Sequence, residues 1–345
     1  MNSADSNEQL INILSNTVIY LYKYLVPLFY ILGNIGNLIS ALIFSKKSWR
    51  KNVCVFYFKI YILCTSIYIN STMLGSIFIS GFNIQLQNSR EFLCKIYFYF
   101  AFLFSSLPPT ILILASIDRL LISSQNIDTR LYSSKRLAYF SISASATVWT
   151  VYNLHILIKV HIQEIFPLVF LCYYDLFGGY LDFINYSAMI LNWFFYLLML
   201  VLSMIAFKNI RHIRVVPRQQ RNQIRTMTKK DFQLLRCLFA QDVVFIILTL
   251  YLNAYYIYSL ITKDQIRTPT EQAIINFMQT TSALLYNISV CLSFFVFISI
   301  SKAFRQEVKR IVYKICSIQL VVVREEQIMP ENVELNVVTV STIKV

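Results

Sequence analysis

Charged residues are missing from seven long stretches of this chain: 24–45, 60–89, 96–117, 137–158, 183–207, 243–262 and 272–301. Each holds at least 20 residues, and no other stretch reaches that length. A helix needs about 20 mostly apolar residues to cross a hydrocarbon core, so each run predicts one spanning helix. Seven fully buried soluble helices in series would leave almost nothing to face water. The polar segments between the runs alternate in charge. Segments 46–59, 118–136, 208–242 and 302–345 hold 25 Lys and Arg residues, whereas 1–23, 90–95, 159–182 and 263–271 hold 6. Basic loops stay cytoplasmic, which predicts an N-terminus outside and a C-terminus inside the plasma membrane. The expected fold is an all-α membrane protein, a seven-transmembrane helix bundle with a short amphipathic eighth helix.

That pattern divides the chain into an extracellular N-terminus (1–23), a transmembrane domain (24–300), an amphipathic interfacial helix (301–316) and a cytoplasmic tail (317–345). In the interfacial helix Phe304, Val308, Ile311, Val312 and Ile315 recur at helical spacing, with Lys302, Arg305, Lys309 and Lys314 between them. Such a helix lies along a membrane surface. Cys316 at its end is either a palmitoylation site or an ordinary free thiol. Residues 1–23 lack the basic start of a cleavable signal, so insertion is expected to rest on the first helix itself. Inner loop 208–242 is expected to prolong the fifth and sixth helices.

Composition agrees. The chain is 57% hydrophobic and 14% charged with mean hydropathy +0.57, where soluble domains carry about 25% charged residues. The net charge of +14 would point to nucleic acid in a soluble protein. Here it is spread over loops facing an anionic leaflet, so the bilayer is the expected partner and nucleic acid is not.

Seven cysteines are sorted by the topology. Cys94 and Cys172 fall outside, where disulfides persist, and are either bridged or two free thiols. The other five lie in spans or on the reducing side. Cys94 and Asp118 are 24 residues apart, about 36 Å of helix. Cys94 at the outer surface therefore puts Asp118 and Arg119 at the inner rim.

With these residues in place the chain resembles the rhodopsin-like (class A) G-protein-coupled receptors over roughly residues 20 to 315. The likeness rests on seven spans with the N-terminus out, and on Cys94 and Asp118-Arg119-Leu120 at the family's distance. It also rests on Gly36-Asn37, Trp149, Cys172 and the Phe304-Arg305 start of an inner helix. The resemblance implies a Cys94–Cys172 bridge and a resting pair of Asp118 with Arg119, whose guanidinium turns inward on activation to meet a heterotrimeric G protein. If Phe245 is the family's core phenylalanine of the sixth helix, Asp231 becomes a second partner for Arg119. Asn37 would hydrogen-bond among the first, second and seventh helices, and Trp149 would pack against the second and third.

Several positions depart from the family. Ser66 takes the place of the second-helix Asp, so the usual sodium pocket is not expected. Thr249 and Tyr251 replace the sixth-helix Trp and Pro, and Ser293 to Phe297 replaces the Asn-Pro-x-x-Tyr motif. Pro108-Pro109 is expected to kink the third helix.

Asn287 stands where a retinal lysine would be, and Ala101 where an amine receptor has its carboxylate. Neither chemistry is expected, nor any cofactor. Loop 159–182 alternates like a hairpin through Val169–Tyr174, and acids outnumber basic residues outside. These features suit a short basic or amidated extracellular peptide, as in the invertebrate neuropeptide (FMRFamide-type) receptors. Candidate pocket residues are Tyr97, Ala101, Tyr174, Asp175, Tyr255 and Tyr286. The rival readings are a transporter or channel, and a chemosensory receptor for a non-peptide small molecule. The near-membrane charges Lys59 and Asp242 are expected at the cytoplasmic end. No metal-ligand spacing is present and the three histidines are scattered, so an enzyme is not expected.

Overall fold

The computed structural model describes residues 3–124, 129, 132–166, 169–174, 179–215, 229–262, 265 and 267–326. Helix α1 (Ser3–Tyr20) passes through a wide π segment, Leu21–Leu25, into α2 (Val26–Ser45). The expected boundary at residue 24 therefore falls in mid-helix. Val18, Leu21 and Leu25 share one face and pack on the core, which extends the helix beyond the uncharged run. A single turn, α3 (Lys47–Arg50), leads to α4 (Val53–Tyr68). Asn52 caps α4 by accepting the Cys54 amide at 2.9 Å. Two further π segments, Ile69–Met73 and Ile77–Gly81, flank the short α5 (Leu74–Ser76). The second helix ends at Gly81, short of residue 89. Asn83 then takes a positive φ of 55°, which only a few residue types tolerate.

Helix α6 (Glu91–Ser123) runs unbroken for 33 residues. It is followed by α7 (Lys135–Tyr152), α8 (Leu154–Lys159), strand β1 (Val160–Phe166) and strand β2 (Val169–Tyr174). The strands pair antiparallel, with Ile162 opposite Cys172, so the hairpin read from the alternation is present. Then come α9 (Tyr180–Val215), α10 (Lys229–Ile261), α11 (Pro269–Cys291), α12 (Ser293–Ile300) and α13 (Lys302–Glu326). Both α9 and α10 run into loop 208–242, as their basic ends predicted.

Five helical stretches are long and apolar enough to cross a membrane: Ser6–Ser45, Val53–Gly81, Glu91–Ser123, Tyr180–Ala206 and Asp231–Ile261. Counting the bent pair α11 and α12 as one makes six. The protein is thus a mostly helical membrane protein. The fourth uncharged run behaves differently. It is divided at Asn153 into helices of 18 and 6 residues, and the first begins with Lys135-Arg136 and continues through the small, polar Ser141–Thr147.

The two prolines of the third helix do not break it. α6 continues through Pro108 and Pro109. Pro109 has no N–H, so the Ser105 carbonyl loses its helical donor. The Tyr286 hydroxyl of α11 supplies one instead at 2.9 Å. A bend appears where no proline exists: α11 and α12 meet at 44°. The Ser289 and Ser293 hydroxyls donate back to carbonyls three residues earlier, a bonding habit that bends helices.

Glycine lets the first and last crossings touch. A β-carbon on Gly33 would lie 2.7 Å from the Cys291 sulfur, and one on Gly36 would lie 2.7 Å from the Phe294 Cβ. Near that contact Phe44, Phe58, Phe297 and Phe304 form a buried aromatic group, with Phe297 at 4.9 Å from Phe58 and 5.3 Å from Phe44. Phe297, where a tyrosine hydroxyl was the family expectation, is thus a packing residue.

Candidate functional site

One end of α6 carries a buried ionic cluster. Arg119 is fully buried, and every arm of its guanidinium is occupied. Nη2 donates to Asp118 Oδ2 at 2.6 Å and to Asn52 Oδ1 at 3.1 Å, Nε donates to the same Asp118 oxygen at 3.2 Å, and Nη1 reaches Asp231 Oδ1 at 3.1 Å. Asn52 donates its amide to the same Asp231 oxygen. The Ser133 hydroxyl, just before α7, donates to the second Asp118 oxygen at 2.6 Å. Four elements meet here: α6, the cap of α4, the start of α10 and the approach to α7. Two carboxylates surround one cation, and Asn52 and Ser133 supply the extra donors the acids require. A buried pair needs such added hydrogen bonds to offset its desolvation. Leu120 is half-buried and points no polar group into the cluster; its carbonyl accepts from Ser123.

The other end of α6 is covalent. Cys94 is bonded to Cys172 of β2, so these two cysteines are a bridge and not two thiols. Asn88 reinforces it by donating to the Phe170 carbonyl and accepting the Cys172 amide, both at 2.9 Å. Tyr173 donates its hydroxyl to Tyr174 at 2.8 Å. Burial first, and the neighbouring Tyr173 second, push the Tyr174 phenol well above its usual range, so it remains neutral.

Between these ends a cavity of about 300 Å³ opens among α4 and α6 to α11. Phe102, Phe195, Tyr256 and Tyr286 give it aromatic walls, and Ser105 and Asn192 give it hydrogen-bonding groups. Its lining contains no Asp, Glu, Lys or Arg. Of the candidate pocket residues, Ala101 and Tyr286 line it. Tyr97, Tyr174 and Tyr255 do not. Tyr97 packs instead against Gly75, where a β-carbon would meet its ring at 2.6 Å, and Tyr174 belongs to the hairpin. Asp175 lies outside the described residues.

The packing residues meet some of their expected partners and not others. Asn37 donates to Thr65 at 3.2 Å and to Ser66 at 3.0 Å, joining the first and second helices. Trp149 donates to Thr110 of α6 at 2.9 Å and meets Phe195 of α9 edge-on, so its partners are α6 and α9 and not the second and third helices expected. Phe245 lies 6.1 Å from Tyr286, and Thr249 takes the Tyr196 hydroxyl at 2.7 Å. Ser293 pairs with Tyr61 at 3.0 Å. Cys316 is exposed on α13.

Asp242 lies inside α10. α10 begins at Lys229, so residue 242 lies 13 residues inside it, about 20 Å from the end, and is fully buried. Its Oδ2 accepts from Ser203 of α9 at 2.8 Å and faces Ser116 of α6 at 3.5 Å. The adjacent Gln241 donates to Tyr61 at 3.2 Å. These two residues tie α10 to its neighbours on two sides. Sequence reasoning also missed Asn52, Ser133 and Asn88, which are ordinary polar residues until the chain brings them together. The sequence matches no protein-family model and no curated protein.

Proposed function

We propose that this protein is a divergent rhodopsin-like G-protein-coupled receptor of the plasma membrane, with the N-terminus extracellular and the C-terminus cytoplasmic. In this reading α7 and α8 together make the fourth of seven crossings. One observation carries it. A single helix, α6, holds a disulfide to the hairpin at one end and a fully buried Arg119 between two acids at the other, with a cavity between them.

Each part has a role. Ligand entering the cavity meets Tyr286, whose hydroxyl is already bonded to the Ser105 carbonyl beside the proline pair. Displacing that contact shifts α6 against α11. Parting α6 from α10 breaks Arg119 from Asp231 and frees the guanidinium for the G protein. Because no charged residue lines the cavity, the buried part of the ligand is uncharged: an amidated, aromatic peptide end, with any basic residues left at the rim among the outer acids. A buried charge without a partner would be too costly there.

One feature favours a transporter as a second reading. Asp242 has an oxygen, Oδ1, without a hydrogen-bond partner deep in the bundle, and intramembrane carboxylates often serve ion or proton paths. A single preparation separates the two. The protein in lipid nanodiscs is screened with amidated peptides for nucleotide exchange on a heterotrimeric G protein, and in proteoliposomes for flux. The expected result is peptide-dependent acceleration of exchange by about tenfold. Flux without exchange overturns the receptor reading.

A further inference from the structure

The turn after α2 and helix α13 form one basic surface. Lys46, Lys47, Arg50 and Lys51 fall within six residues that contain no acid. The turn is fastened from beneath: Trp49 is 3% exposed, with its ring 5.6 Å from Phe44 and 6.5 Å from Phe304 of α13. Lys46 Nζ reaches Glu307 Oε2 of α13 at 2.6 Å. Arg310 takes the other oxygen of Glu307 at 2.9 Å, so two cations neutralise the sole acid between residues 302 and 324. Arg305 is also engaged, donating to the Ile298 and Ser299 carbonyls at the end of α12. Lys47, Arg50, Lys51, Lys302, Lys309 and Lys314 are left exposed, and no acidic partner for them exists among the described residues.

We propose that this surface binds the headgroup of a polyphosphoinositide in the adjoining leaflet. Val312 and Tyr313 are exposed beside the cations on α13, so the same helix offers an apolar contact at bilayer depth and charge at headgroup height. Basic clusters next to a membrane crossing or on an amphipathic helix attract anionic lipid. Here two such clusters are held together by Trp49, Phe304 and the Lys46–Glu307 pair, so little ordering remains to be done on binding. A headgroup bearing several phosphate charges answers several of these cations at once, whereas a singly charged headgroup answers one. The proposal depends on the membrane placement and not on receptor activity.

The test uses the full chain in nanodiscs of phosphatidylcholine alone, with phosphatidylinositol 4,5-bisphosphate, or with phosphatidylserine at matched total charge. Retained lipid is read by native mass spectrometry and thermal stability by the unfolding midpoint. The bisphosphate lipid is expected to remain bound and raise the midpoint. Combined Lys47→Gln, Arg50→Gln, Lys309→Gln and Lys314→Gln substitutions are expected to cut retention about tenfold, and added salt to weaken what remains. These side chains are exposed, so the midpoint in phosphatidylcholine alone should not move; Lys47→Gln with Arg50→Gln is the milder variant if it does. Equal retention of phosphatidylserine, or full retention by the substituted proteins, overturns the proposal.

Discussion

The two ends of α6 are fixed by opposite means. At Cys94 the helix is joined covalently to a β-hairpin across 78 residues of chain, and Asn88 adds two hydrogen bonds to the same strand. At Arg119 nothing is covalent. The helix is held by ion pairs and side-chain hydrogen bonds from Asn52, Ser133 and Asp231. A disulfide tolerates only a narrow geometry, whereas an ion-paired guanidinium can exchange one set of acceptors for another. Under the receptor reading this difference separates the end that stays from the end that changes: the bridge is the reference point and the ionic cluster the moving contact.

The largest effect should come from removing the bridge. Cys94→Ser with Cys172→Ser is expected to lower stability by about 2–4 kcal/mol, read as a fall in the thermal midpoint of the purified protein. An unchanged midpoint would mean that the hairpin end is not the fixed one.

A smaller loss is expected at the other end, accompanied by a gain. Asp231→Ala removes one of two acids facing Arg119 and should cost about 1–3 kcal/mol. Under the receptor reading it should also raise ligand-free nucleotide exchange, because α10 is released from α6. Asn52→Ala is expected to act in the same direction. Basal exchange that stays level while the midpoint falls would make the cluster structural only.

The smallest effect sharpens the contrast. Asn88→Ala removes two hydrogen bonds at the hairpin but leaves the disulfide, and should cost about 1 kcal/mol. Amide hydrogen exchange should then quicken in β1 and β2 while the Arg119 region is unaffected. Faster exchange at both ends would show that the two are coupled more tightly than the comparison holds.

Much of the architecture was legible in one dimension because burial in lipid leaves a one-dimensional record: a crossing helix must be an uncharged run. The pairing of Arg119 with Asp231 was within reach only through the resemblance, which puts an acid at Asp231 if Phe245 is the core phenylalanine of its helix. Two features add to the charge pattern for one reason. Helix α1 runs on through residue 24 into α2, and Asp242 is buried between α6 and α9, because charge marks a boundary only where lipid is the neighbour. Where another helix is the neighbour, a charged or polar residue can continue inward. The Pro108-Pro109 kink was expected from the helix alone, and it was Tyr286 on a distant helix that met the freed carbonyl.

Sequence by itself determined the succession of helices, their number of uncharged runs, the charge bias of the loops and the spacing of cysteine to arginine. These follow from local rise and from what a bilayer excludes. Tertiary structure decided which polar residues find one another: Asn52 and Ser133 around Arg119, Ser116 and Ser203 beside Asp242, Tyr286 at a proline's orphaned carbonyl. A hydrogen bond depends on a few ångströms between atoms far apart in the chain, and only the packed bundle sets that distance.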